Sequence, residues 1–421
     1  MDSQLSDLLM SNENRPKLEL LAPAGDMEKL KTAVRFGADA VYFGGELFSL
    51  RAGAGNFSVP EIEEAMEWLH ANNAKGYMTI NIYPHNGDIS PLRDYIGRIR
   101  HIPVDAYLVS DPGVMGLIRE QIPDAEIHLS TQANTTNYMT ARFWASQGVK
   151  RIVCAREMSL EEIKVMRREL PDDIEIESFV HGAMCISYSG RCLLSNFMAG
   201  RDANRGACTH PCRWKYALVE EKRPGEYYPI EEDGYGSYIM NSRDLCMIDH
   251  IPELAEAGVY SLKIEGRMKS MYYVATVVTA YRAAIDAYLS DPENYVFDNK
   301  YYDELCKASH REFTHGFYFN KPTDKDQNYI TSDYTRDYSF VGLVRETDEA
   351  TGLTTVEQRN KFSIGDTVEV FGPYTPYYEE TISEMYDEEG TPIESAPHPQ
   401  QILRIRFKRI PEEGFILRKK K

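Results

Sequence analysis

Between Lys17 and about Leu289, short apolar runs rich in β-branched residues alternate with longer amphipathic stretches. The runs predict strands over Leu18–Leu21, Ala38–Phe43, Gly76–Ile82, Ala106–Ser110, Glu126–Ser130, Arg151–Ala155, Ile174–Val180 and Ser261–Ile264. The stretches between them predict helices that begin near Asp26, Pro60, Ile89, Pro112, Thr136, Ser159 and Ile251, and a last one from about Ser270. Leu30, Ala33 and Val34 illustrate the helical spacing, and Gly37 fits a helix stop just before the second strand.

Eight strands, each followed by a helix, predict an α/β fold of the (β/α)8, TIM-like barrel type. An open doubly wound sheet shares the alternation, because counting elements does not show closure. The segment between strands seven and eight is oversized, an insertion over about 182–248 on the side of the barrel that carries active sites. From Tyr338 onward the pattern changes to strict alternation in Phe340–Val344, Thr354–Glu357, Asp366–Phe371 and Gln401–Phe407, with turn signals such as Ile364-Gly-Asp366 between the runs. That predicts a small C-terminal β-barrel domain of roughly six strands. The expected organisation is a tail over 1–16, the barrel over 17–290, a connecting segment over 291–337 and the β domain over 338–421.

The chain has 421 residues, a formal net charge of −18 and a sequence pI near 5.1. That balance is foreign to a nucleic-acid coat protein, but it does not govern a local patch. One patch is basic: Arg191, Arg201, Arg205, Arg213 and Lys215 interleave with cysteines in the insertion. The end of the chain, Arg404–Lys421, is also basic and reads as a solvated tail. Met1–Lys17 is polar, without an apolar stretch of signal-peptide length, and no run is long enough to span a bilayer. The expectation is a cytoplasmic protein with no membrane partner.

Of seven cysteines, five (Cys185, Cys192, Cys208, Cys212 and Cys246) fall within about sixty residues of the insertion, among Gly, Ser, Arg and His. In a reducing compartment this crowding points to a soft-metal site before disulfides. Cys185, Cys192, Cys208 and Cys246 offer the four thiolates of an iron–sulfur cluster, and Cys212 offers a fifth. Three other readings stand beside it. Structural zinc usually shows tight cysteine pairs, and only Cys208-x-x-x-Cys212 is close. A cysteine nucleophile with His181 or His210 as base is chemically sound. Unligated core thiols fit the polar surroundings poorly. Cys154 ends an apolar run and reads as a packed core thiol, and Cys306 takes the same reading. No H-E-x-x-H, G-x-S-x-G, Walker or G-x-G-x-x-G motif occurs.

The run Glu177-x-Phe179-x-x-Gly182-Ala183-x-Cys185-x4-Gly190-x-Cys192-x-x-Ser195 resembles the signature of peptidase family U32. The resemblance extends to Leu21-Ala-Pro-Ala-Gly-Asp26, Ala38-Asp-Ala-Val-Tyr-Phe-Gly-Gly45, Ser130-Thr-Gln-Ala-Asn134, Arg205-Gly-Ala-Cys208, Asn241-Ser-Arg-Asp-Leu-Cys246 and Lys263-Ile-Glu-Gly-Arg267. It covers nearly the whole chain, including the β domain.

Within that collagenase-like family, length and domain order are most similar to the branch of prephenate-dependent tRNA uridine hydroxylases. The resemblance implies oxygen-independent formation of 5-hydroxyuridine at the wobble position, a [4Fe–4S] cluster, prephenate as co-substrate and tRNA as partner. It also implies a pattern of cluster ligands followed by Cys185, Cys192, Cys208 and Cys246, with Cys212 the alternative fourth ligand. Other branches act on other RNAs or on a ubiquinone precursor, some relatives work with a shorter homologue, and the family's original label implies a collagenase-like endopeptidase. A dicarboxylate co-substrate calls for arginine, whose planar fork matches carboxylates. Arg156, Arg191, Arg243 and Arg267 are the candidates. Glu177, His181 and Glu265 are candidate acid–base groups, and Gln132 and Asn134 candidate partners for a base edge or a carboxylate. Glu265 and Arg267 could equally pair with each other.

Overall fold

The computed structural model describes residues 17–50, 55–184, 194–211, 217–218, 228–229, 243–320, 334–348 and 351–421. Seven parallel strands follow one another: β1 (Glu19–Pro23), β2 (Ala40–Gly44), β3 (Lys75–Ile80), β4 (Ala106–Val109), β5 (Ile127–Leu129), β6 (Arg151–Val153) and β7 (Glu175–Ala183). In the insertion, β8 (Ala217–Leu218) pairs with β9 (Tyr228–Pro229), and β10 (Asp244–Cys246) lies antiparallel to β7. The eighth parallel strand, β11 (Ser261–Ile264), pairs with β7 on one side and β1 on the other, so the barrel closes. Closure settles the choice against an open sheet.

Local chemistry sets the helix starts where the periodicity places them. The Asp26 carboxylate accepts from Lys29 N–H at 2.9 Å and caps the helix Met27–Arg35. Ser159 and Glu162 form a reciprocal capping box at the helix Leu160–Glu169. The helix Met271–Ser290 is buried over most of its length, because the barrel packs on one side of it and the C-terminal domain on another.

The lower half of the barrel holds charges in place of an apolar core. Arg151 on β6 reaches Glu19 on β1 at 2.6 Å, and these strands are not neighbours, so the contact spans the lumen. Arg151 also meets Glu175 at 2.6 Å and Glu177 at 3.1 Å, and Glu19 accepts from Tyr77 and Ser261. Buried charges persist only when paired and hydrogen-bonded, and here almost every partner is supplied.

β12 (Phe313–Thr314) pairs with β10 and carries the chain outward. The C-terminal domain contains β13 (Tyr338–Asp348), β14 (Leu353–Gln358), β15 (Phe362–Ser363), β16 (Thr367–Gly372), β17 (Thr375–Thr381), β18 (Met385–Tyr386), β19 (Ser395–Ala396), β20 (Ile402–Arg406) and β21 (Ile416–Lys420). Seven of these form one antiparallel sheet in the order β17-β16-β21-β13-β14-β20-β18, and β15 pairs with β19. Val341, Val356, Val368, Leu403 and Ile405 anchor its own apolar core.

The basic end of the chain is not a solvated tail. β21 lies inside the sheet between β16 and β13. Arg418 is fully buried, donating to Glu369 at 2.8 Å and gripping Glu304 of the helix Lys300–Leu305. The charge is accepted in the interior because two carboxylates await it. Arg418 with Glu304, Lys307 with Glu369, and the stacked rings of Tyr272 and Phe340 dock the β domain onto the barrel.

Candidate active site

The C-terminal ends of the barrel strands surround a polar mouth of about 410 Å³, counting its opening to solvent. Tyr42, Thr79, Asn81, Ser130, Gln132, Phe179, Lys263, Glu265 and Arg267 line it. This is where catalytic groups of a closed parallel barrel gather.

Arg267 follows β11 and is 3 % exposed. One Nη donates to Ser49 Oγ and to the Leu50 carbonyl, each at 2.8 Å, and to Thr79 Oγ1 at 3.3 Å. The other donates to Asn56 Oδ1. A Cβ on Gly44 would meet that Nη at 2.3 Å, so glycine gives the guanidinium room to pass over β2. Arg267 therefore ties the segment after β2 to the rim.

Glu265 does not pair with Arg267. Its Oε2 accepts from Arg156 Nη2 at 2.8 Å, and the Arg156 guanidinium lies 4.0 Å over the Phe179 ring. The two residues come from opposite sides of β7, since Arg156 follows β6 and Glu265 follows β11.

The amides form a second group. Asn81 Nδ2 donates to Ser130 Oγ and Gln132 Oε1, each at 3.3 Å, and Asn81 Oδ1 accepts from Leu50 N–H at 3.1 Å. Ser130 Oγ donates in turn to Gln132. Asn134 adopts a left-handed conformation (φ 54°) and donates to the Gln132 carbonyl at 2.9 Å. Its buried Oδ1 has no hydrogen-bond partner among the described residues.

Lys263 joins the mouth to the charges below. Its Nζ lies 2.6 Å from Glu177 Oε1 and 4.3 Å over the Tyr42 ring. Burial lowers the Lys263 pKa from the ordinary lysine value, against the pull of Glu177. Burial alone would raise the Glu177 pKa, but Lys263 and Arg151 outweigh it and hold the carboxyl below its usual range. Glu177 thus sits beneath the mouth, ionised and paired on both oxygens.

His181 lies outside the lumen. Its ring packs against Tyr273, Tyr281 and Phe313, and burial pulls its pKa down to about 3. Arg243 also lies away from the mouth, paired with Glu312 at 2.8 Å. Arg191, Cys185, Cys192 and Cys212 fall outside the described residues.

Two of the clustered thiols are described. Cys208 follows the short turn Ala203–Arg205, whose Asn204 carbonyl accepts from Tyr83 N–H at 3.5 Å, so this loop leans over the mouth beyond β3. Cys208 Sγ accepts from His210 N–H at 3.4 Å, the type of contact that surrounds cluster sulfurs. Cys246 stands opposite His181 on β10, beside the strand that runs directly into Cys185. Its Sγ lies 4.0 Å from Tyr281 Oη, facing the helix Met271–Ser290, and burial pushes its pKa up to about 12. Cys154 is the packed thiol its setting predicts, also pushed up to about 12.

Sequence reasoning passed over Lys263, Asn81, Thr79 and Ser49. The signal was present for two of them. Lys263 is a charge inside the apolar run Ser261-Leu-Lys-Ile264, and Asn81 ends the run Met78-Thr-Ile-Asn81 where a barrel strand opens onto its loop.

The pattern that defines Peptidase family U32 matches residues 25–328, and that of the Peptidase family U32 C-terminal domain matches residues 336–418. The chain belongs to peptidase family U32. It is similar to tRNA hydroxylation protein P1 of Bacillus subtilis (strain 168), with 44% identity over 391 residues, 93% of this chain and 92% of the relative. Against tRNA hydroxylation protein P of Escherichia coli (strain K12) the identity is 40% over 399 residues, covering 85% of this chain and 86% of the relative. A third U32 relative, a collagenase of Porphyromonas gingivalis (strain ATCC BAA-308 / W83), is 32% identical over 395 residues, covering 91% of this chain and 93% of its own length. Among the described residues, no helix is long and apolar enough to cross a membrane.

Proposed function

We propose that this U32 chain is a tRNA-modifying hydroxylase that forms 5-hydroxyuridine at the wobble position, with prephenate as the hydroxyl donor. Two relatives named for tRNA hydroxylation, each aligned over most of both chains, support the reaction class. The observation that carries the reading is the composition of the mouth: guanidinium, ammonium and amide groups from the ends of three strands, β3, β5 and β11, converge on one polar opening.

In this reading Lys263, Arg156 and Arg267 set the positive field for a dicarboxylate, with Arg267 acting mainly by holding the rim. Asn81 and Gln132 line the mouth and offer amide groups that match the edge of an unstacked uracil, and Asn134 holds the Gln132 backbone from behind. Glu265, anchored by Arg156, is the carboxylate placed to take the proton from the base. Glu177 keeps Lys263 in position from below.

Hydroxyl leaving prephenate together with the ring carboxylate is at the oxidation level of water. Replacing C5–H of uracil by C5–OH with that hydroxyl releases two electrons and two protons, so the site needs an electron acceptor. A [4Fe–4S] cluster takes up one electron at a time, so when bound it would pass the two electrons singly to an external one-electron acceptor, an oxidised redox protein, which the reaction requires as a further reactant. Cys185, Cys192 and Cys208 would hold it, with Cys246 as the fourth ligand and Cys212 as its competitor. Binding an anticodon loop to an acidic chain needs local positive charge from Arg191, Arg201 and their neighbours, and should weaken steeply with salt.

The test is nucleoside mass spectrometry of tRNA from a deletion strain complemented with this chain. Recovery of 5-hydroxyuridine only when prephenate is available supports the proposal; its absence in both conditions refutes it. The relative named collagenase favours a second reading, an endopeptidase. Prephenate-independent cleavage of denatured collagen by the anaerobically purified chain would select that reading.

A further inference from the structure

On the outer wall of the barrel, away from the mouth, two histidines and one aspartate turn their ligating atoms toward a common point. Asp249 and His250 belong to the turn Ile248–His250 that follows β10, and His315 follows β12. His315 Nε2 lies 3.2 Å from Asp249 Oδ2, and His250 Nε2 lies 3.6 Å from the same oxygen. All three ligand atoms fall within 4.8 Å of one another. A tetrahedral ion with metal–ligand bonds of about 2.0–2.2 Å spaces its ligands about 3.3–3.6 Å apart. The separations of 3.2 and 3.6 Å lie close to that range.

The surroundings suit an ion as well. His250 Nδ1 lies 2.9 Å from Glu253 Oε1, so the outer nitrogen donates to a carboxylate and Nε2 is left as the ligand. That outer carboxylate is the usual support of a metal-bound imidazole. The Phe319 ring packs 4.4 Å from His250 and 5.6 Å from His315, covering the pair on one side. Gly316, in a left-handed conformation (φ 58°), turns the backbone immediately after His315. Imidazole nitrogen with one carboxylate oxygen is a donor set that suits zinc, and it differs from the thiolate set of the insertion.

We propose that Asp249, His250 and His315 bind one Zn²⁺ ion, with water at the fourth position. The ion joins the turn after β10 to the segment Phe313–Phe319, and so fastens the return of the insertion to the chain that leads to the C-terminal domain. Without the ion, the same residues would be an Asp–His pair on the surface.

The full chain, purified anaerobically with its iron retained, is equilibrated with Zn²⁺ and then dialysed against metal-free buffer. The expected result is about one retained zinc per chain. His315→Ala and Asp249→Asn should lose it while iron content stays unchanged. Glu253→Gln, which alters only the outer support of His250, should fold normally and bind zinc about 10–100-fold more weakly. Co²⁺ in place of zinc should give visible d–d bands without thiolate-to-cobalt charge transfer. Absence of retained zinc in the wild type, wild-type retention by His315→Ala or Asp249→Asn, or a thiolate charge-transfer band would each overturn the proposal.

Discussion

Lys263 Nζ stands 2.6 Å from Glu177 Oε1, and this contact joins the polar mouth of the barrel to the closed ionic cluster beneath it. Both side chains are buried, and the remaining Glu177 oxygen is taken by Arg151. The pair holds the lysine in one orientation, with its Nζ also 4.3 Å over the Tyr42 ring.

Glu177→Gln removes a charge that two buried cations share. Breaking a buried pair from one side costs about 3–5 kcal/mol, because the uncompensated partner remains in the interior. Urea unfolding should show a loss of that order. A variant with wild-type stability would show that Lys263 and Arg151 are not charged together in the folded protein.

Acid sensitivity should trace in part to His128. Burial, assisted by Arg151, holds its pKa well below the ordinary 6.5, so the folded state keeps it neutral while the unfolded state takes up a proton. The stability contributed is full above 6.5 and falls as pH drops below it, by up to about 1.4 kcal/mol per pH unit. His128→Phe should reduce the fall in unfolding free energy between pH 6.5 and about 5.5, leaving the part due to the equally buried His181, in a window above the ordinary value of 4.5 at which Glu177 and Glu19 of the unfolded chain take up protons. An unchanged slope would place the proton uptake elsewhere.

Arg267→Lys keeps the charge but loses the fork that spans Ser49, Leu50 and Asn56. Loss of hydrogen bonds to a charged group costs about 1.5–3 kcal/mol each at most. Single-turnover tRNA hydroxylation with saturating tRNA should need on the order of tenfold or more additional prephenate. If the prephenate dependence is unchanged, the rim held by Arg267 plays no part in the site.

The proposed cluster predicts visible absorption and roughly four irons and four sulfides per chain in an anaerobic preparation, and Cys185→Ala and Cys208→Ala should each abolish them. Cys246→Ala against Cys212→Ala decides the fourth position. Iron lost only in Cys212→Ala would leave Cys246 as a packed thiol against Tyr281, whereas loss only in Cys246→Ala would require its Sγ to turn from that helix.

Arg418→Met should detach the C-terminal domain from the barrel. It leaves Glu304 and Glu369 facing each other without the guanidinium, although Lys307 still reaches both. Limited proteolysis should then cut between the barrel and β13 faster than in wild type, and equal rates would show that the apolar contacts alone hold the domains.

The order and type of elements were legible along the chain. Period-two runs and 3.6-residue spacing are local properties, as are caps such as Asp26 and Ser159, so β1 to β7, β11 and the helix starts fall within a few residues of their predicted places. The family motifs named the neighbourhood of the site for the same reason. Pairing across the lumen was not legible. Whether Glu265 meets Arg267 or Arg156, whether Glu177 faces solvent or Arg151, and whether Arg418 ends in water or between two carboxylates depend on contacts between residues far apart in sequence. Barrel closure decides those contacts, because only β11 pairing with both β7 and β1 brings the first and last strands to the same lumen. Sequence alone thus determined the alternation, the family and the chemistry of the candidate groups; tertiary structure decided which charges neutralise one another and which remain turned toward the mouth.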